Sequence, residues 1–262
     1  MTGDIQDIQI IGEGNVAFHL ATGFSLKKEI RSLKIISRHN AKANRFKSIS
    51  DKVKTGTLEQ FDESIPLTIL AVADDAIPQV AQYFMQYENL IVHTAGSISI
   101  ETLGNLGFSN YGSFYPLQTF SLKKNIDWSE IPIFVNSNTI ENTFRLESIA
   151  HLLSNKVKSI TDEQRLAIHI GAVFVNNFTN HLFTLSDQWL KDNELDFSIM
   201  IPLINETVEK IKNIDPYDAQ TGPALRSDNK VLEKHLEKLN DSPNLKGIYE
   251  ILSQSIKSSH KK

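Results

Sequence analysis

Between Leu166 and Ser186 the chain carries no charged side chain, and its polar positions include His169, Asn176, Asn177, Asn180, His181 and Thr184. Read as an α-helix at about 100° per residue, these six share an arc of about 140°. Phe174, Val175, Phe178, Leu182 and Leu185 fall on the other side. A solvated helical face would carry Lys and Glu. Imidazoles and amides instead present oriented donors and acceptors in a partly dry site, where an unpaired group costs on the order of 1–3 kcal/mol. The stripe suits the wall of a site for a small polar substrate, with an imidazole able to exchange a proton. The alternative is a helix–helix or subunit interface whose polar groups satisfy one another. His169 and His181 make a poor metal pair, since no carboxylate joins them, and no metal is expected.

A second constellation lies near the N-terminus. Gly12-Glu13-Gly14-Asn15-Val16-Ala17 reads GxGxxA, behind the apolar run "IQII" and ahead of a helix-forming run. The first glycine permits a tight turn, the second lets backbone approach a diphosphate, and Ala17 keeps the helix close to the sheet. The helix N-terminus then offers free N–H groups to the phosphates. The plainer alternative is a glycine turn that only joins strand to helix.

The next apolar run ends in Ser37-Arg38-His39-Asn40, with no acid to accept from a ribose 2′-hydroxyl. Arg38 suits a 2′-phosphate, so NADP is expected ahead of NAD. Asp74 and Asp75 could be paired carboxylates for acid–base work or magnesium. They also fit the cap and first turn of the helix that follows, which is the preferred reading. Val72 and Ala73 would line the cofactor's path, and the small residues of Thr94-Ala95-Gly96 would let a flat nicotinamide ring come close. His93 is an acid–base candidate only if it points out of the sheet.

These residues need elements to position them. Strand candidates are 8–11, 33–37, 67–72, 90–94, 111–115 and 131–135, alternating with helical segments near 14–25, 40–48, 75–86 and 98–105. That alternation predicts parallel pairing with right-handed crossovers, a Rossmann-like doubly wound sheet. From 161 the character changes: Thr161 and Gln164 form a capping box, and a long helix is expected to run to about Lys191. Further helices are predicted near 197–213, 229–240 and 243–258. The expected architecture is an α/β Rossmann-like NAD(P)-binding domain over 1–160 and an all-α substrate and dimerisation domain over 161–262.

Composition sets the outer bounds. The chain has 262 residues, a formal net charge of -4 and no cysteine. Disulfides, thiolate nucleophiles and cysteine-ligated metals are excluded, consistent with a cytoplasmic, reducing compartment. Nothing in the balance asks for nucleic acid or an anionic membrane. The uncharged stretch from Leu166 is long enough to span a bilayer, but its histidines and asparagines argue for a helix buried in protein.

Seven segments taken in order carry a resemblance: "IIGEGNVAFHLA", "ISR", "VADDAI", "HTAGS", "FYPLQTFS", "HIGAVFVNNFTNHL" and "TGPALRSD". Together they resemble a bacterial family of two-domain proteins labelled as NADP oxidoreductases, with a Rossmann-like NADP-binding domain and a helical C-terminal domain of unknown function. More distantly the layout is similar to pyrroline-5-carboxylate reductase, deazaflavin-dependent NADP reductases and enzymes like 6-phosphogluconate dehydrogenase, whose C-terminal domain is also all-helical. The resemblance implies hydride exchange with NADP at the cleft between the two domains and a homodimer built through the helical domain. It assigns Gly12, Gly14, Asn15 and Val16 to the phosphate turn, and Ser37 and Arg38 to the 2′-phosphate. Val72, Ala73, Ala95 and Gly96 go to the nicotinamide side, Asn177 and His181 to the polar helix. Thr221, Gly222, Pro223 and Arg226 become a loop that closes over substrate.

One departure matters. β-Hydroxyacid dehydrogenases of this layout use a lysine on the long helix, and none lies between Thr161 and Leu190 here. That leans toward reduction of a small polar imine or carbonyl, with His181 the first choice of proton donor, His169 the second and Tyr115 the third. The rival from another class is a non-catalytic NADP-binding or sensing module that dimerises through its helical domain. A third reading is a metal-dependent hydrolase using Asp74 and Asp75.

Overall fold

A computed structural model describes residues 5–37, 45–122 and 126–260. It divides into two compact units, Met1–Asn177 and Phe178–Lys262.

The first unit is built on a sheet of eight strands in the order β3-β2-β1-β4-β5-β6-β7-β8. They are β1 (Asp7–Ile11), β2 (Ser32–Ile36), β3 (Val53–Gly56), β4 (Leu67–Leu70), β5 (Leu90–His93), β6 (Tyr111–Pro116), β7 (Ile133–Ser137) and β8 (Val157–Ser159). The first six pair in parallel, as the alternation of strands and helices predicts. β7 departs from that expectation and runs antiparallel to β6. The cause is the connection: 117–132 carries, among its described residues, only the single turn Trp128–Glu130, where a parallel neighbour needs a crossover that is usually an α-helix.

Alternation along the strands sorts two cores onto the two faces. Ile8, Ile10, Leu33, Ile35, Leu90 and Val92 pack on one side with α1 (Asn15–Ser25) and α4 (Ile140–Leu153). Ile11, Ile36, Leu70 and Ile91 pack on the other with α2 (Ile77–Ala81) and α3 (Glu101–Gly104). All four residues of β4 are buried, Thr68 among them, as in a strand covered on both faces. The segment predicted as one helix over 75–86 is α2 flanked by the 3₁₀ turns Asp74–Ala76 and Gln82–Phe84.

The helix foreseen from Thr161 begins as α5 (Asp162–Ala172), with the Thr161–Gln164 capping box formed. It does not stay α-helical: Val173–Phe178 is a π-helical turn, after which α6 (Thr179–Asp192) resumes. A π-turn breaks the 100° count, so the common arc foreseen for His169 with Asn180, His181 and Thr184 does not follow from their spacing. The apolar side of this stretch is also open rather than buried: Phe174 is 62% exposed and Val175 76%.

Strand content ends at Ser159, while the compact units divide at Asn177. The second unit comprises the rest of the helical chain: α6, α7 (Ile201–Asn213), α8 (Asn229–Lys238) and α9 (Pro243–Ser259). Among its described hydrophobic residues only Leu190, Ala224, Leu232 and Leu239 are buried, while Leu203, Val208, Ile211 and Ile251 stand exposed. No helix among the described residues is long and apolar enough to cross a membrane.

Candidate functional site: a cavity at the glycine turn

The carboxyl ends of β1, β2, β4, β5 and β6 open onto a cavity of about 960 Å³ lined wholly by first-unit residues. That is the upper range of small-molecule sites, placed where ligands of open α/β sheets bind.

The glycine turn forms one end. Gly12 has φ +142°, and a Cβ there would lie 2.1 Å from the Ala71 carbonyl oxygen, so backbone geometry and space both demand glycine. Gly14 differs: its φ is -79°, it caps α1, and a Cβ there would meet nothing within 4 Å. The turn's second glycine thus faces open space, and α1 starts with no acid in its first turn to neutralise its free N–H groups.

Arg45 fixes the turn from behind. Its guanidinium donates to the carbonyl oxygens of Glu13 and, at 3.3 Å, of Gly14, while lying 5.6 Å over the Phe18 ring and 5.2 Å over Phe46. In a planar trans peptide the N–H opposes the C=O, so holding these two carbonyls toward Arg45 turns the N–H groups of Gly14 and Asn15 away from it. Sequence reasoning gave Arg45 no role. Asn15 does line the cavity, but its side-chain amide donates to the Phe120 carbonyl at 2.9 Å, and one helical turn on His19 Nε2–H donates to the Ser121 carbonyl at 3.0 Å. Together they fasten α1 to the segment after β6 whose Gln118, Thr119 and Phe120 form another wall.

Ser37, Val72, Ala73 and Thr94 line the cavity with Val16, as their strand-end positions imply. Arg38, His39 and Asn40 lie outside the described residues. Ala95 is buried in the second core, and the ring of His169 fills the space beside Gly96, where a Cβ would stand 2.5 Å from Nδ1. Neither residue lines the cavity. Asp74 and Asp75 occupy the first turn of the 3₁₀ segment as expected, although its cap is Ala73, and Asp74 accepts a 2.6 Å bond from Ser97 Oγ. No group of three or more His, Asp or Glu that could hold a metal occurs among the described residues.

At the far wall stand Tyr115, His169, Asn176 and Asn177. Tyr115 Oη and His169 Nδ1 are 3.1 Å apart, a hydrogen bond joining the end of β6 to α5. Burial raises the Tyr115 phenol above its ordinary pKa, Arg165 opposes that and Asp74 adds to it, so the group stays protonated at neutral pH. His93 is fully buried and its Nδ1 accepts from the Ala95 N–H at 3.3 Å. Burial, with Arg165 adding to it, pushes its pKa down to about 3, so it is neutral, and it is enclosed in the protein rather than on the cavity wall. His181, Thr221, Gly222, Pro223 and Arg226 belong to the second unit. There His181 is exposed on α6, and Gly222 takes φ +110° in a turn whose Pro223 carbonyl accepts from the Asp228 N–H at 2.9 Å.

A glycine turn, a parallel sheet wound on both faces and a ligand-sized cavity at its carboxyl edge define a Rossmann-like protein. Comparison with known proteins narrows this. A "putative NADP oxidoreductase" from Bacteroides fragilis is 37% identical, with a TM-score of 0.89 over 97% of this chain and 99% of that one. The chain belongs to the same family, and its residues 131–256 match a domain of unknown function, DUF2520. At 17% identity the fold is shared with a Plasmodium falciparum pyrroline carboxylate reductase solved with NADP bound (TM-score 0.58, 98% of this chain and 99% of that one). It is shared too, at 17% identity, with a reductive aminase from Aspergillus terreus in complex with NADPH and ethyl-5-oxohexanoate (TM-score 0.68, 98% and 96%). No curated protein matches the sequence.

Proposed function

We propose that this protein is an NADP-dependent oxidoreductase acting on a small polar imine or carbonyl compound. The observation that carries the proposal is the Tyr115–His169 pair on the wall of the same cavity that begins at the Gly12–Gly14 turn. The open space at Gly14 is what a dinucleotide would need to reach backbone, and relatives solved with NADP or NADPH share the fold. The N–H groups of Gly14, Asn15 and Val16 hold the diphosphate, Ser37 and Arg38 the 2′-phosphate, and Val72 and Ala73 flank the path toward Thr94.

When bound, NADPH supplies a hydride to the carbon of the substrate's C=N or C=O group. Tyr115 Oη gives the accompanying proton to the substrate nitrogen or oxygen, and His169, taking a proton from water at Nε2, returns the one on Nδ1 to the phenolate oxygen. Burial keeps the phenol protonated until that moment, and the Asn177 amide orients the polar substrate. The exposed apolar side chains of α7 and α9, against so small a buried core in their unit, support pairing with a second copy of the chain through the helical unit.

Calorimetry with NADPH and NADH, followed by NADPH consumption against a panel of cyclic imines and ketones, tests the reading. Binding without consumption would leave a sensing module, and no heat with either nucleotide would remove the reading altogether.

A further inference from the structure

We infer that Arg165, buried out of reach of any ligand, is the positioning residue of the Tyr115–His169 pair; the inference rests on the proton-donor role proposed above. Arg165 is 1% exposed. Its guanidinium donates to Ser113 Oγ at 2.7 Å, to Asp162 Oδ1 at 2.8 Å and to the Ile98 carbonyl. Asp162 completes the clamp, accepting from the Ile100 N–H at 2.9 Å and from Asn136 Nδ2 at 3.2 Å. Ser113 is in register with His93 on β5 and with Asn136 on β7, so one ion pair sits across three adjacent strands.

The geometry repeats one step further along. Arg165 to His169 is four residues of α5, an advance of about 6 Å. Ser113 to Tyr115 is two residues of β6 on the same face, an advance of about 6.7 Å. Ile98 to Gly96 is two residues of the loop after β5. The three elements that meet at the guanidinium therefore meet again at the imidazole, where His169 packs on Gly96 and bonds to Tyr115. The first layer is charged and dry, and the second borders the cavity. A planar fork holds strand, loop and helix N-terminus at once from two nitrogens in a fixed geometry, where an ammonium has three donors that rotate about a single nitrogen. The opposing effect of Arg165 on the Tyr115 phenol agrees with this closeness.

The test uses the full chain with ring-¹⁵N-labelled histidine, His169 being assigned through His169→Gln. In the unaltered protein the Tyr115 bond gives His169 ring shifts of one fixed tautomer, and Tyr115→Phe collapses them toward the two-tautomer average. Arg165→Met is expected to produce the same loss, with Tyr115→Phe adding nothing further to it, and Arg165→Lys to recover part of the signal. Should Arg165→Met fail to fold, Ser113→Ala deletes only the β6 end of the clamp and is expected to give a smaller change in the same direction. Unaltered His169 shifts in folded Arg165→Met, or in folded Ser113→Ala if Arg165→Met does not fold, overturn the inference. The measurement needs neither nucleotide nor substrate, so absent NADPH turnover would sink the proposed function while leaving this result to be judged alone.

Discussion

The two glycines of the turn should fail in different ways. Gly14→Ala adds a methyl group that meets nothing within 4 Å at a φ of -79° open to any residue. An alanine cap costs a helix about 0.5–1 kcal/mol relative to a good one, and loss of glycine's freedom in the unfolded chain returns about 0.4–1 kcal/mol, so the melting temperature should stay within about 2 °C. The added methyl nevertheless stands where a diphosphate would approach, and at least a tenfold loss of NADPH affinity, about 1.4 kcal/mol, is expected. At a concentration 100 times the original dissociation constant, NADPH would stabilise the unaltered protein by about 2.7 kcal/mol and the variant by about 1.4. At about 2–4 °C per kcal/mol these become thermal shifts of about 5–11 °C and about 3–6 °C. Gly12→Ala should instead melt early without ligand, since a positive φ costs about 1–3 kcal/mol before the clash with Ala71 is counted. A Gly14→Ala protein that binds NADPH as tightly as the original would refute the assignment of the turn.

Tyr115→Phe and His169→Gln should each lower turnover by about 10²–10⁴-fold with NADPH affinity in calorimetry nearly unchanged; equal loss of binding would make the pair structural. Calorimetry should show NADPH preferred to NADH, with Arg38→Ala erasing the difference; a preference for NADH would contradict the coenzyme assignment. Because the folded pKa of His93 is depressed to about 3, unfolding takes up its proton below about pH 6.5. Stability measured in urea should therefore fall from about pH 6.5 down to about 3, by an upper bound on the order of 5 kcal/mol, and His93→Leu should flatten that slope. Light scattering should give a dimer, and the pair of changes Leu203→Glu and Ile211→Glu on the exposed side of α7 should give monomer; a monomeric original would end the proposed pairing.

What could be read from the sequence was local. Gly12 asks something of backbone that glycine alone supplies, and the central strands are mostly apolar and buried on both faces, so both are legible over a few residues. The edges were not. β3 is "VKTG" with Lys54 exposed and β8 is three residues, short and charged as edge strands tend to be, and neither stands out as a strand run. The contacts that shape the site also escaped, because they join distant parts of the chain. Arg45 reaches the turn across 32 residues, Asn15 reaches Phe120 across 105, and Tyr115 meets His169 across 54. Tyr115 was a third choice of proton donor on sequence grounds, and its rank changes only because β6 ends where α5 passes.

The polar stripe shows the same limit inside one helix. Its arc was counted on the premise that every turn holds 3.6 residues, and nothing in "VFVNNF" marks an exception, there being neither proline nor glycine in it. Yet Val173–Phe178 closes its turn at i→i+5, and each residue taken into a wider turn rotates the rest of the helix by about 100° against the simple count. Asn176 and Asn177 lie inside that turn and on the cavity wall with His169. In a regular helix residues seven apart lie near one face and residues eight apart about 80° from it. Both amides border the same space from within the widened turn, so the irregularity sits at the wall itself, and its effect on the count falls on the residues that follow it.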